Sequence, residues 1–134
     1  MINLNDYLTS SGSYPDRAKS PELTPELVSN ANMLLPKVNA LLDELGIKNV
    51  KISSGFRTSE ANAATPNSAK KSNHCICLAI DILDSDGKLD ELVGKHDDLL
   101  KKYGLWQESP EHTKGWIHLD CKDRGKRDKN VFIP

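Results

Sequence analysis

The sequence of 134 residues predicts an α+β fold, because its patterns follow the order helix, strand, helix, strand, helix, hairpin. Two segments carry this prediction. Apolar residues recur at helical spacing between Leu27 and Leu45, whereas the apolar run at residues 78–83 has the length and composition of a buried strand. A further helical pattern at residues 89–103 separates that strand from the predicted hairpin.

The first regular element is predicted to begin after residue 24. Residues 1–23 are polar and rich in turn-forming residues, so we expect an irregular lead-in. Thr24 can cap a helix, Pro25 suits its first position, and Gly46 is placed to end it. Pro36 lies inside the pattern and predicts either a kink or a break into two helices.

The remaining predicted elements are shorter. Ser59 can cap a small helix, and Gly104 ends the second amphipathic helix. Two strands joined by a loop that contains Pro110 and Gly115 favour a hairpin. These elements are a strand at residues 50–53, a helix at 60–64, strands at 78–83, 105–108 and 116–119, and an edge strand at 131–133.

Composition excludes several classes of protein. The formal net charge is −1, so the chain has no basic field to attract a nucleic-acid backbone. No apolar run approaches the roughly 18 residues that span a bilayer. Residues 1–14 lack the basic and apolar regions of a secretory signal, so we expect synthesis in the cytoplasm. We expect one domain over residues 1–134, acting as a monomer.

Three residues form a candidate metal site. Asp81 lies in an apolar strand, where a carboxylate is costly unless it is paired or bound to a metal. His118 lies in a second apolar strand, and His74 precedes Asp81 by an odd number of residues, so the chain must bend for both to reach one ion. Two histidines and one carboxylate are a usual set for catalytic zinc. A loop histidine and a charged residue at a strand edge are the alternative interpretation.

The cysteines offer a rival site. Cys75 and Cys77, with Cys121 or His74, could form a structural zinc site rich in thiolates, although their spacing differs from the usual two-residue gap. An odd number of cysteines without a secretory signal argues against a disulfide framework. Three reduced, buried thiols are therefore the favoured interpretation.

Four short motifs carry a resemblance to a known family. They are Ser-Ser-Gly-Phe-Arg at residues 53–57, Ser-Asn-His at 72–74, Ala-Ile-Asp at 79–81 and Trp-Ile-His at 116–118. Over about residues 24–120 the chain resembles the M15 zinc peptidases: D-alanyl-D-alanine carboxypeptidases, D-alanyl-D-alanine dipeptidases and phage L-alanyl-D-glutamate endolysins. The resemblance implies a small antiparallel sheet that carries one zinc ion and is packed with helices, as in hedgehog and D-Ala-D-Ala peptidase folds.

The resemblance also implies roles for individual residues. His74, Asp81 and His118 match the zinc ligands. Arg57 matches an arginine that reaches the substrate, where a guanidinium can grip a carboxylate or stabilise an oxyanion. Ser72 matches a substrate-site position that orients the backbone or a ligand. The family usually has glycine at the position of Cys77, which therefore either sits at negative φ or carries strain.

The general base departs from the family pattern. Several relatives have an acid three residues before the last histidine ligand, where this chain has Gly115. Glu108 is the predicted base, because a hairpin register that pairs it with Trp116 puts both on the metal face. Glu111 and His112 are alternatives in the loop, and an exposed strand position is the other interpretation of Glu108.

These assignments imply a zinc peptidase that hydrolyses an amide bond in peptidoglycan stem peptide, with Glu108 and Arg57 as catalytic residues. Endolysin and carboxypeptidase activities fit equally well. We expect neither a secretory signal nor a wall-binding module, and this expectation favours a phage-type enzyme that acts on the cell wall after release. The alternative is a non-catalytic zinc-containing binding or virion-structural module, which Gly115 supports.

Overall fold

The computed structural model describes residues 1–9, 15–66 and 68–134. In these residues, helices and a five-stranded mixed sheet form an α+β fold, as predicted. The helices are α1 (Leu4–Thr9), α2 (Pro25–Glu44), α3 (Ser59–Ala64), α4 (Lys88–Gly94) and α5 (Asp97–Tyr103). The strands are β1 (Ile52–Ser54), β2 (Ala79–Asp84), β3 (Trp106–Glu108), β4 (Gly115–Asp120) and β5 (Val131–Phe132). Within the described part of the chain, no helix has the length and hydrophobicity to cross a membrane.

Helix α2 begins and ends where its sequence predicts. Thr24 caps it by accepting a hydrogen bond from the Leu27 amide at 3.3 Å, and Gly46 adopts φ +71° just beyond its end. The helix continues through Pro36, so the predicted break into two helices is wrong. Buried residues on both sides of Pro36 hold one continuous apolar face against the core: Ala31, Leu34, Leu35, Val38, Leu41 and Leu42.

The expectation of an irregular lead-in over residues 1–23 is also corrected. Helix α1 and a 3-10 helix at Pro15–Lys19 lie within it, while residues 10–14 fall outside the described residues. Tyr7 is fully buried and donates a hydrogen bond to the Ala79 carbonyl at 2.7 Å, which ties α1 to β2. Because α1 has only six residues and is held by a long-range contact, it is too short to be recognised by apolar periodicity in the sequence.

Two predicted helices differ in detail. Thr58 rather than Ser59 caps α3, since its hydroxyl accepts a hydrogen bond from the Ala61 amide at 3.1 Å. The single helix predicted at residues 89–103 is divided into α4 and α5. Gly94, a poor helix former, ends α4, and acidic residues in the first turn of α5 favour a new helix start.

The sheet has the strand order β1-β2-β4-β3-β5. Strands β1 to β4 pair antiparallel, as predicted, but β5 pairs parallel with β3, so the sheet is mixed. After β4 the chain reverses direction and forms β5 on the edge of β3 that faces away from β4. A strand that runs opposite to β4 is necessarily parallel to β3, which already runs opposite to β4.

Strands β2 and β4 separate the core from a polar face. Ile80, Ile82, Ile117 and Leu119 are fully buried in the hydrophobic core. Because successive side chains of a strand point to opposite faces, the residues between them lie on the other face of the sheet. The register pairs Asp81 directly with His118 there.

Candidate metal and active site

His74, Asp81 and His118 come together on the polar face of the sheet. The Nε2 atom of His74 lies 3.3 Å from Oδ2 of Asp81, and Nδ1 of His118 lies 2.8 Å from Oδ1 of the same carboxylate. One donor atom from each residue lies within 4.8 Å of the other two. The structure therefore assembles the three residues that the sequence motifs single out.

The bend between His74 and Asp81 is built from two local features. A 3-10 helix at Asn73–Ile76 carries His74, and the Ser72 hydroxyl caps it by accepting a hydrogen bond from the His74 amide at 3.2 Å. Cys77 then adopts φ 58° and ψ 33°, a left-handed conformation that turns the chain into β2. Of the two alternatives for Cys77, the structure shows the strained one.

Each histidine has one ring nitrogen held by an outer partner. His74 Nδ1 lies 2.8 Å from the Gly55 carbonyl, which can only accept a hydrogen bond, so the proton is on Nδ1 and Nε2 is left for a metal. His118 Nε2 lies 2.9 Å from Oδ2 of Asp120, which leaves Nδ1 on the side of Asp81. Such partners set the tautomer and orientation of metal-binding histidines.

Asp120 is a site residue that the sequence analysis did not single out. It is fully buried, and its carboxylate accepts hydrogen bonds from the Arg124 guanidinium at 2.5 and 3.0 Å. Burial raises the pKa of Asp120, but hydrogen bonds from His118 and Arg124 outweigh this effect and lower it. Its position two residues after His118 in an apolar strand was the available signal, because that spacing places both on one face.

Arg57 is anchored beside Asp81 rather than free in solvent. Its Nε donates to the Ser54 hydroxyl at 2.9 Å, and its terminal nitrogens lie 3.3 Å from Asp81 Oδ2 and 3.5 Å from Asn62 Oδ1. The side chain is 11% exposed and lines the cleft above the site. Asn62 is a further site residue that no sequence pattern indicated, and Ser54 belongs to the motif at residues 53–57, which assigned it no role.

Neighbouring groups of the site shift the pKa values of Asp81 and His118. Burial raises the pKa of Asp81, but the charge of His74 and hydrogen bonds from both histidines lower it well below its usual range. Burial lowers the pKa of His118, but its hydrogen bonds with Asp120 and Asp81 outweigh this and raise it to about 9. Asp81 is therefore held as the charged carboxylate that a metal ligand requires.

A family comparison agrees with this geometry. A model of the family described as Peptidase M15 matches residues 15–120, most of the chain. The chain belongs to the M15 peptidase family. It is therefore a metallopeptidase by family, and M15 peptidases are typically zinc-dependent. No curated protein and no solved structure gives a match to the chain.

The cysteines of this M15 peptidase are free thiols outside the metal-binding group. Cys77 is buried in the core, and Cys75 and Cys121 are partly buried. Among the described residues, the group whose donor atoms converge contains no cysteine. Tyr7 packs close to Cys77 and Cys121, and burial raises the pKa of the Cys77 thiol to about 12. The arrangement favours buried thiols over the rival thiolate site.

Glu108 of the M15 peptidase lies on the metal face, but in a different register from the one predicted. Trp106 pairs with Asp120 and Gln107 with Leu119, a register that continues to Glu108 opposite His118 rather than Trp116. The connection contains a 3-10 helix at Pro110–His112, and the paired residues nearest to it are Gln107 and Leu119. Because the difference is two residues, the side chain stays on the same face.

Glu108 and His112 both line the cleft above the site, whereas Glu111 is exposed and does not. Glu108 is half-buried, and burial raises its pKa, with the nearby charge of His118 acting in the opposite direction. A carboxyl group with a raised pKa beside the candidate metal ligands is suited to act as a general base.

The cleft has a volume of about 1110 Å³ and contains the whole candidate site. Ser72, His74, Asp81 and His118 all line it. Five cationic side chains also line it: Arg17, Arg57, Lys71, Lys122 and Arg124. Three carboxyl groups also line it, those of Asp81, Glu108 and Asp120, so its five cationic side chains exceed its acids by two, whereas the whole chain has a net charge of −1.

Proposed function

We propose that this M15 peptidase is zinc-dependent and hydrolyses an amide bond in peptidoglycan stem peptide. The supporting observation is the convergence of His74, Asp81 and His118, with the outer nitrogen of each imidazole already held. Tetrahedral zinc with ligand distances of about 2.0–2.1 Å separates its ligand atoms by about 3.3 Å. The contact between His74 and Asp81 is 3.3 Å and that between His118 and Asp81 is 2.8 Å, so the donor atoms already lie near this spacing, which supports a zinc site.

The protein residues around the site supply the rest of the chemistry. Bound zinc would provide a Lewis acid that polarises the peptide carbonyl and activates water. Glu108 accepts the proton of the attacking water and passes it to the leaving amine. Arg57, which lines the cleft, binds a substrate carboxylate or the developing oxyanion. Ser72 keeps the backbone of His74 in position.

The charge of the cleft supports an acidic peptide as the substrate. Peptidoglycan stem peptides carry free carboxylates, and guanidinium and ammonium groups are their natural partners. Endolysin and carboxypeptidase activities use the same machinery, and we propose a phage-type enzyme of one of these kinds, acting as a monomer.

The test is release of new amino groups from purified peptidoglycan by the full chain. Chelator-treated protein should be inactive, and one equivalent of zinc should restore release. His118→Ala should lose both zinc and activity, whereas His96→Ala should keep both, because His96 lies at the N-cap position of α5 and outside the candidate metal group. A chain that contains no zinc after zinc-replete preparation contradicts the proposal. Stoichiometric zinc binding without cleavage of any wall substrate would instead support the non-catalytic binding or virion-structural module.

A further inference from the structure

The segment after residue 120, which lies beyond the residues matched by the family model, contacts the candidate metal site. Arg124 lies four residues beyond the last matched position, and its two terminal nitrogens bind the two oxygens of Asp120 at 2.5 and 3.0 Å. This paired geometry is the strongest form of contact between an arginine and a carboxylate. Because Asp120 also binds His118, the guanidinium is one residue removed from a proposed zinc ligand.

The orientation of the Asp120 carboxylate depends on Arg124. Oδ1 accepts from the Lys122 amide at 3.2 Å and from Arg124, and Oδ2 accepts from His118 and Arg124. Arg124 is thus the partner that binds both oxygens. Without it, a fully buried charge would keep one hydrogen bond on each oxygen and could rotate away from His118.

Strand β5 holds the guanidinium in place. The Arg124 Cζ atom lies 3.7 Å from the centre of the Phe132 ring and 5.7 Å from that of Trp106. Phe132 also contacts the His118 ring edge-on, with the ring centres 5.7 Å apart. The same aromatic side chain therefore packs against both the arginine and the histidine whose geometry the arginine influences.

We propose that Arg124 is a positioning residue for His118, that it acts through Asp120, and that Phe132 holds it there. The inference rests on the proposed zinc site. It assigns a role to the segment after residue 120, which supplies part of the metal centre although it lies outside the family match. Arg124 binds both oxygens of the carboxylate that binds His118, and this paired contact favours a positioning role.

The experiment measures the zinc affinity of the full chain by competition with a chromophoric chelator. Arg124→Ala should weaken zinc binding by about 10–100-fold, the usual effect of removing an outer partner of a metal site. Arg124→Lys should fall between Arg124→Ala and wild type, because lysine keeps the charge but loses the paired contact. Arg127→Ala is the matched control: Arg127 is exposed and also lies over Trp106, at 5.7 Å, and its loss should leave the affinity unchanged.

A second measurement distinguishes positioning from general destabilisation. In the cobalt-substituted protein, Arg124→Ala and Arg124→Lys should change the visible absorption of the metal, and Arg127→Ala should not. Wild-type zinc affinity in both Arg124 variants, with only a raised KM, would overturn the inference and make Arg124 a substrate residue. Equal weakening in Arg127→Ala would also overturn it. If the wild-type chain binds no zinc, the proposed function fails and this inference fails with it, whereas unchanged affinity in the variants defeats the inference alone.

Discussion

At the scale of single residues, the site is a set of mutually compensated buried charges. Asp81 faces both histidines and Arg57, and Asp120 faces His118 and Arg124. A buried carboxylate is costly unless it is paired and hydrogen-bonded. Removing one partner therefore leaves an uncompensated charge, so substitutions here should affect metal binding before they affect the hydrophobic core.

Glu108→Gln tests the proposed general base. The substitution keeps the shape of the side chain and removes its basicity, so kcat on peptidoglycan should fall by about 10²–10⁴-fold with zinc content unchanged. Glu111→Gln is the control, because Glu111 is exposed and does not line the cleft. Its activity should be that of wild type.

The pH dependence of activity provides a second readout for Glu108. Burial raises its pKa above the ordinary value of 4.5, and a base acts only when deprotonated. Wild-type kcat/KM should therefore rise with pH through that raised pKa. The kcat/KM of Glu108→Gln should show no such rise. Full activity in Glu108→Gln, together with loss of activity in His112→Ala, would place the base in the loop instead.

At the scale of elements, the site depends on the joint between a 3-10 helix and β2. Cys77 forms that joint in a left-handed conformation, which costs a residue with a Cβ atom roughly 1–2 kcal/mol. The buried thiol offsets part of this cost through its contacts in the core. A glycine at this position would adopt the same conformation without strain.

Cys77→Gly and Cys77→Ala separate backbone strain from thiol packing. Both remove the thiol, but only alanine keeps a Cβ atom at φ 58°. The glycine variant should be more stable than the alanine variant by about 1 kcal/mol in urea unfolding. Ala31→Gly in α2 is the control, where the order reverses and glycine costs about 1 kcal/mol. A Cys77→Ala variant more stable than Cys77→Gly would show that the joint carries no strain.

At the scale of the whole molecule, a further buried acid links the helices to the sheet. Asp90 in α4 accepts hydrogen bonds from Gln107 in β3 at 2.5 Å and from Thr113, just before β4, at 2.6 Å. It is 3% exposed. Burial raises its pKa, and the hydrogen bonds from Thr113 and Gln107 oppose but do not cancel this effect.

Asp90→Asn should change how stability depends on pH. The folded protein binds the Asp90 proton more tightly than the unfolded chain does. The contribution of this group is therefore complete below the ordinary pKa of 3.8 and is lost as the pH rises through the raised folded value. The unfolding free energy of wild type minus that of Asp90→Asn should decrease from pH 3 to neutral pH in urea titrations.

Asp97→Asn is the control with the opposite sign. Burial raises the pKa of Asp97, but hydrogen bonds from Lys101 and the Asn130 amide, together with the charges of Lys101 and Lys129, outweigh this and lower it. Its stabilising contribution is present above the ordinary pKa and lost as the pH falls, so the corresponding difference should increase from pH 3 to neutral pH. The same slope for both variants would contradict the assignment of Asp90.

Local patterns predicted the elements that depend on near neighbours. The cap at Thr24 and the terminator at Gly46 are confirmed, because capping involves residues within one turn. The patterns missed α1, whose anchor Tyr7 contacts a carbonyl 72 residues away. Of the kink and the break that the sequence offered at Pro36, the structure excludes the break. The patterns also missed the division between α4 and α5.

By itself, the sequence determined which residues can meet on the polar face. Strand alternation separates Asp81 and His118 from the apolar residues beside them, and a two-residue difference in hairpin register leaves Glu108 on the same side. Only the tertiary structure decided that Arg124 clamps Asp120 and that β5 runs parallel to β3. These contacts depend on how the chain crosses back after β4, and that path is selected by packing between distant residues, which local spacing does not encode.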